Sequence, residues 1–259
     1  MTGTRSGTWR ALVWLPCLLA ACAAPPAPAP APLPIFTPPP PAPPPLTSLY
    51  ESAVRAAAVR DPSFAVKLLV LPAKPYVTLV NFSGWGAPQS PTVRPVWTSD
   101  PKQLAALCKG KPDAVLAIEE ALGLPPKPQP DSAAYHWQIN TILVPTADLF
   151  RPCPGGTSIT AGVCGDMIAP RGNPYFPKPG TIDPTTAYFL LSQIWSSSRI
   201  GFTTTSGTPD WGYPFTGMGW TYNWDPAAPS PIGVTEFVIR LGSTVTTVAT
   251  ETPREFCAV

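Results

Sequence analysis

The side chains in this sequence that could do chemistry are few: one histidine, His136, a strand-borne acid, Glu236, the adjacent acids Glu119 and Glu120, and six cysteines. An imidazole can serve as a base near neutral pH. No nucleophile or carboxylate stands near His136 in sequence, so a serine or cysteine triad would have to be assembled around that single ring. Glu119 and Glu120 would have to face each other to share a proton, whereas neighbours on a helix point ~100° apart. They are expected on a solvated helix face. Cysteine spacing with one histidine does not match a zinc framework, and no G-x-S-x-G, H-E-x-x-H, P-loop or dinucleotide fingerprint occurs. The sequence therefore leads us to expect no metal and no cofactor.

The cysteines speak instead of compartment. Arg5 and Arg10 precede the apolar run from Ala11 to Leu19, which ends in Ala20-Ala21-Cys22. A positive stretch, a short apolar stretch and small residues before a cut form a secretory signal. The run contains Pro16 and falls well short of the roughly 20 residues that span a bilayer. Leu19-Ala20-Ala21-Cys22 resembles the bacterial lipobox, which implies that Cys22 is acylated and becomes the mature N-terminus. By resemblance to Gram-negative lipoproteins, Ala23 in the next place implies the outer membrane, with the folded part facing the periplasm or the surface. Residues 1–21 are then the signal, 22–46 the lipidated cysteine with its tether, and 47–259 a globular domain.

With Cys17 removed and Cys22 lipidated, Cys108, Cys153, Cys164 and Cys257 remain. Four thiols in an oxidising compartment read as two disulfides with three pairings. The Gly-rich segment between Cys153 and Cys164 can close on itself. That favours Cys153–Cys164 and leaves Cys108–Cys257. The tether, almost entirely Pro and Ala, is expected as extended polyproline II reaching ~70 Å at ~3.1 Å per residue.

Trp211, Tyr213, Trp220, Tyr222 and Trp224 crowd one Gly-containing stretch. They could stack on sugar rings, or they could pack rigidly where glycine lets strands approach; packing is favoured. Thr203-Thr204-Thr205-Ser206 followed by Glu236 is similar to the ADP-ribosyltransferases, which set a Ser/Thr strand before a Glu-bearing strand. In that family the Glu hydrogen-bonds the ribose. Here Val234 stands where the family has a second acid, and no upstream Arg or His motif matches.

The elements that must position these residues can be read in order. Ser48-Leu49-Tyr50-Glu51 has capping-box form and opens a helix to Arg60. Strands are expected over Phe64–Leu71, Tyr76–Phe82 and Val93–Thr98, the second apolar on both faces and hence central. Asp100-Pro101 and Asp113 open helices to Cys108 and Leu122, and Gly123 ends the latter. From Tyr135 to Val144 the alternation predicts Tyr135, Trp137, Ile139, Thr141 and Leu143 inward, with His136, Gln138 and Asn140 outward. Residues 151–180 read as ordered loop. Asp183-Pro184 opens a helix to Ser198 with an apolar stripe of Tyr188, Leu191, Ile194 and Trp195. Val234–Leu241 and Thr244–Thr250 read as a hairpin with Glu236 and Arg240 on its outer side.

Charged residues are only 12% of the chain and net charge is +2, so no basic stripe points to nucleic acid. The fold expected is α+β, an antiparallel sheet with a few helices in one disulfide-stapled domain. The function expected is a non-enzymatic envelope lipoprotein binding an envelope protein or wall glycan such as peptidoglycan. The competing expectation is an envelope hydrolase or transferase centred on His136 or Glu236.

Overall fold

Val, Leu and Tyr crowd residues 76–80, and that stretch becomes the middle of the sheet. The structure, a computed structural model, describes residues 45–59, 66–126, 136–153, 158–164, 184–197, 202–203, 209–210 and 212–258. All of them belong to one compact unit, Pro39–Val259. The elements run α1 (Pro45–Val59), β1 (Tyr76–Ser83), β2 (Val96–Ser99), α2 (Pro101–Cys108), α3 (Ala114–Leu122), β3 (Gln138–Pro145) and β4 (Leu149–Phe150). Then follow α4 (Pro184–Ser197), β5 (Phe202–Thr203), β6 (Pro209–Asp210), β7 (Trp220–Tyr222), β8 (Ile232–Ile239), β9 (Thr246–Glu251) and α5 (Pro253–Cys257). Seven strands form one sheet in the order β4-β8-β2-β1-β3-β9, with β7 also pairing β8, while β5 and β6 form a separate pair. Every pairing is antiparallel. The fold is α+β, as expected.

Both faces of the sheet are covered. Leu79, Ile142, Val144, Phe237 and Ile239 pack on one side. On the other, Val80, Ile139 and Val234 meet Leu104 of α2, Ile118 of α3 and Phe256 of α5. The helices α2 and α3 start where their aspartates predict. Asp100 accepts from the Gln103 amide and Asp113 from that of Leu116, and Gly123 ends α3 in the left-handed conformation. Both expected disulfides form: Cys108–Cys257 ties α5 to α2, and Cys153–Cys164 closes its short loop.

Several expectations are corrected. Helix α1 begins at Pro45, so Ser48 lies inside it, its carbonyl taking the Ser52 hydroxyl, and does not cap it. Residues 66–71 form no strand; Leu68 and Leu71 instead bond the Cys153–Cys164 loop through Gly162 and Ile159. Glu119 and Glu120 are buried, not solvated, because α3 is covered by α5 on one flank and β7 on the other. Asn140 is buried too, accepting from Gln138 and Thr250 and donating to the Gly86 carbonyl. In β3 the pairing with β1 is unbroken, and Ile142 and Val144 lie on the face opposite Ile139, packed with Leu79, so they are buried in place of Thr141 and Leu143. Tyr188 is exposed, and Leu190 is the buried apolar residue among the described side chains of α4, with Thr186 buried beside it. The hairpin is absent: β8 pairs with β2, β4 and β7, and β9 pairs with β3. Tyr135 and Trp211 lie outside the described residues, as does the Trp195 side chain.

Candidate functional site

Strand β8 carries Glu236, the one carboxyl among the described residues that line an aromatic-walled cavity. Its partners explain why that carboxyl is buried. Ser99 of β2 stands directly opposite Glu236, and Trp97 opposite Val238. Directly opposed residues share a face of the sheet, so Glu236, Ser99 and Trp97 look to the same side. The Glu236 amide donates to the Gly219 carbonyl, 2.9 Å, just before β7 begins. Gly219 has φ +76°, and a Cβ there would come within 2.9 Å of Arg151 Cδ and of Cys153 Sγ. A side chain at Gly219 would therefore push the backbone off β8. Gly233 plays a similar part, since a Cβ there would meet the Thr221 hydroxyl and the Ala121 carbonyl.

The cavity measures about 960 Å³. Phe82, Trp85, Trp97, Trp137, Tyr213 and Phe215 supply its aromatic walls, and Asn81, Ser99, Gln193 and Glu236 its polar points. Trp97 packs edge-on to Phe215 with centroids 6.1 Å apart and leans on Phe189 of α4 at 5.6 Å. Trp137 stacks on Phe82 at 4.8 Å. Asn81 donates from Nδ2 to the Trp97 carbonyl, 3.0 Å, which ties β1 to β2 beneath the wall.

Glu236 is only 9% exposed, and its Oε2 has no hydrogen-bond partner among the described residues. Burial pushes its carboxyl up to about 8, the guanidinium of Arg151 pulling weakly the other way. The two make no ion pair among the described residues. Arg151 lies over the ring of Phe237, 5.0 Å from its centroid, and successive residues of a strand point to opposite faces. The sheet therefore separates the guanidinium from the carboxyl. Arg151 is fully buried and ties loops together: its Nη2 donates to the carbonyls of Leu69, Ile159 and Ala161 and its Nε to that of Ser158. Burial draws its guanidinium down to about 10.

The other sequence-derived candidates do not join this site. His136 is exposed and does not line the cavity, although its neighbour Trp137 does. Trp220 and Trp224 are buried in the body and Tyr222 half-buried between them, so these three form packing; of the described members of the set, Tyr213 alone lines the cavity. Thr203 belongs to β5, which pairs with Pro209–Asp210 outside the main sheet, and 204–206 lie outside the described residues. The hydroxyl-bearing strand beside Glu236 is β2, Val-Trp-Thr-Ser, which the sequence marks only as a strand. Glu120 sits away from the cavity with its carboxyl raised to about 7 by burial and by Asp225. Lys111 bonds Asp225 at 2.7 Å and opposes that rise. No cluster suited to holding a metal ion occurs among the described residues, and no described helix is long and apolar enough to cross a membrane.

What the arrangement can do follows from its parts. Aromatic walls stack planar or ring-shaped groups, and a buried carboxyl with a vacant oxygen recognises hydroxyls or a positive charge. The chain matches no protein-family model, curated protein or solved structure.

Proposed function

We propose that this chain is a lipid-anchored envelope enzyme whose cleft takes a ribosyl-bearing compound and breaks its N-glycosidic bond at Glu236. The observation that carries the reading is the buried, unpartnered Oε2 of Glu236 in an aromatic-walled cavity beside Ser99. The hydroxyl opposite Glu236 on the neighbouring strand is that of Ser99, not one of Thr203–Ser206. Acylated Cys22 would hold the enzyme at the outer membrane, its tether spacing it from the bilayer. The two disulfides support an oxidising compartment.

The chemistry suits a single carboxyl. Cleaving an ordinary O-glycoside calls for two, one to protonate the leaving oxygen and one to act across the ring. Glu236 is the only carboxyl among the described lining residues. A sugar bonded to a cationic ring nitrogen needs no such acid. The C1′–N bond breaks, both electrons go to the nitrogen, and the ring departs neutral. Positive charge develops on the ribosyl carbon, and water adds there, releasing its proton to solvent. An acceptor hydroxyl in place of water would make the reaction a transfer. A nearby positive charge favours the ionised carboxyl, so a cationic substrate would draw off the proton that Glu236 holds in the empty cleft. The carboxylate then accepts from a ribose hydroxyl and faces the developing charge.

The test is release of nicotinamide from nicotinamide adenine dinucleotide by the mature protein, followed by chromatography. Glu236→Gln is expected to lower the rate at least ~100-fold, the scale of losing one electrostatic contact to a transition state. The aromatic walls favour one second reading, a non-enzymatic glycan-binding module. No release by the wild type, with saturable binding of peptidoglycan fragments, would establish that reading in place of the enzyme.

A further inference from the structure

The disulfide Cys153–Cys164 grips strand β8 at Thr235 and at Glu236 by two separate routes. On the first, the Gly162 carbonyl accepts from the Leu68 amide at 2.8 Å, and that of Ile159 from the Leu71 amide at 3.3 Å. Leu69, between those two, donates its amide to the Thr235 hydroxyl at 3.1 Å. Arg151 clasps the same segments through the carbonyls of Leu69, Ser158, Ile159 and Ala161. On the second route Cys153 Sγ packs against Gly219, whose carbonyl holds the Glu236 amide. Cys164 Sγ lies 3.8 Å from the Gly217 carbonyl oxygen. Thr235 and Glu236 are thus each fastened to backbone that the disulfide keeps in place.

The two disulfides differ in reach. Cys108 and Cys153 are fully buried and Cys257 is 5% exposed. Cys164 is half-buried, and Val163 beside it is 58% exposed. Of the four, Cys164 alone is open to an external thiolate. Attack there makes Cys153 the leaving group, and a leaving sulfur departs faster when its thiolate is stabilised. A neighbouring cation does this. Arg151 packs against Gly219 together with Cys153, and its Nη1 has no hydrogen-bond partner among the described residues.

Resting on the ribosyl reading above, we infer that Cys153–Cys164 is a redox switch: closed, it holds Glu236 at the cleft, and reduction by a dithiol releases it. One thiolate of the dithiol forms a bond to Cys164 Sγ, and the Cys153–Cys164 bond breaks with its electron pair leaving on Cys153. The second thiol of the reductant then displaces Cys164. The reductant ends as a disulfide and both cysteines as thiols, two electrons and two protons having passed to the protein. Cys108–Cys257 stays closed and keeps α5 on α2, so the loosened molecule remains folded.

Limited dithiothreitol treatment of the mature protein, followed by alkylation and mass spectrometry, should label Cys153 and Cys164 before Cys108 and Cys257. Hydrogen exchange in that form should quicken over 66–71, 217–220 and β8, and stay unchanged in β1 and β3. The kcat for nicotinamide release should fall at least about tenfold, inside the ~100-fold that a displacement of ~1 Å costs, and recover on reoxidation. Cys153→Ala/Cys164→Ala should show the low rate with no response to dithiothreitol. Earlier labelling of Cys108 and Cys257, faster exchange throughout the sheet, or an unchanged kcat would each overturn the switch while sparing the ribosyl reading. No nicotinamide release from the oxidised wild type would remove the ribosyl reading, and the exchange pattern alone would then decide whether the disulfide governs the Glu236 backbone.

Discussion

A carboxyl taken out of water without a partner keeps its proton, and Glu236 is held in that condition by its neighbours on β8, β2 and β7. Its folded value is about 8, against 4.5 for the free side chain. Between those two values the folded protein binds a proton that the unfolded chain has released, so stability falls as pH rises through that window. Glu120, raised to about 7, adds to the same trend over the lower part of the window. Gln at 236 cannot ionise. Thermal unfolding is therefore expected to show Glu236→Gln gaining stability on the wild type as pH goes from about 5 to about 9, by a few kcal/mol at most at ~1.4 kcal/mol per pKa unit. Parallel pH profiles for the two proteins would show that Glu236 is solvated. Activity should move the opposite way, since the carboxylate that burdens the empty fold is the form that faces a cationic substrate.

At the scale of elements, the sheet is bound together by strands far apart in the chain, and the disulfides reinforce its ends. Cys108–Cys257 closes a separation of 149 residues and Cys153–Cys164 one of 11. Chain entropy assigns about 5 kcal/mol to the first and about 3 kcal/mol to the second. Urea denaturation of Cys108→Ala/Cys257→Ala should accordingly show the larger loss, and Cys153→Ala/Cys164→Ala the smaller. The reverse order would mean that the short loop, which Arg151 and the 66–71 segment both grip, contributes more through native contacts than through the unfolded chain. Strand β8 illustrates why the expected hairpin does not form. Gly242-Ser243 does make a turn, but the Gly242 amide bonds the Thr92 carbonyl and the Ser243 amide the Thr92 hydroxyl. The turn is thus fastened to the segment leading into β2, and β9 is left to cover β3.

For the whole molecule, the proposed anchor makes a separate claim. Cys22→Ser should move the protein from the membrane to the soluble fraction of fractionated cells without altering its unfolding transition; unchanged fractionation would remove the lipid from the account. What the sequence alone determined was local: the aspartate caps of α2 and α3, the glycine that ends α3 and the centrality of β1, while it favoured one of the three pairings of the four cysteines. Each depends on residues a few positions apart or on simple exclusion. Tertiary structure alone decided which strands flank β8, that Ser99 faces Glu236, and that Glu119, Glu120 and Asn140 are buried. Burial of a face depends on what packs over it, and here the covering elements are distant in sequence, α5 over α3 and the Gly86 loop and β9 over Asn140. Strand alternation describes a residue's side of a sheet, and carries no record of which side meets water.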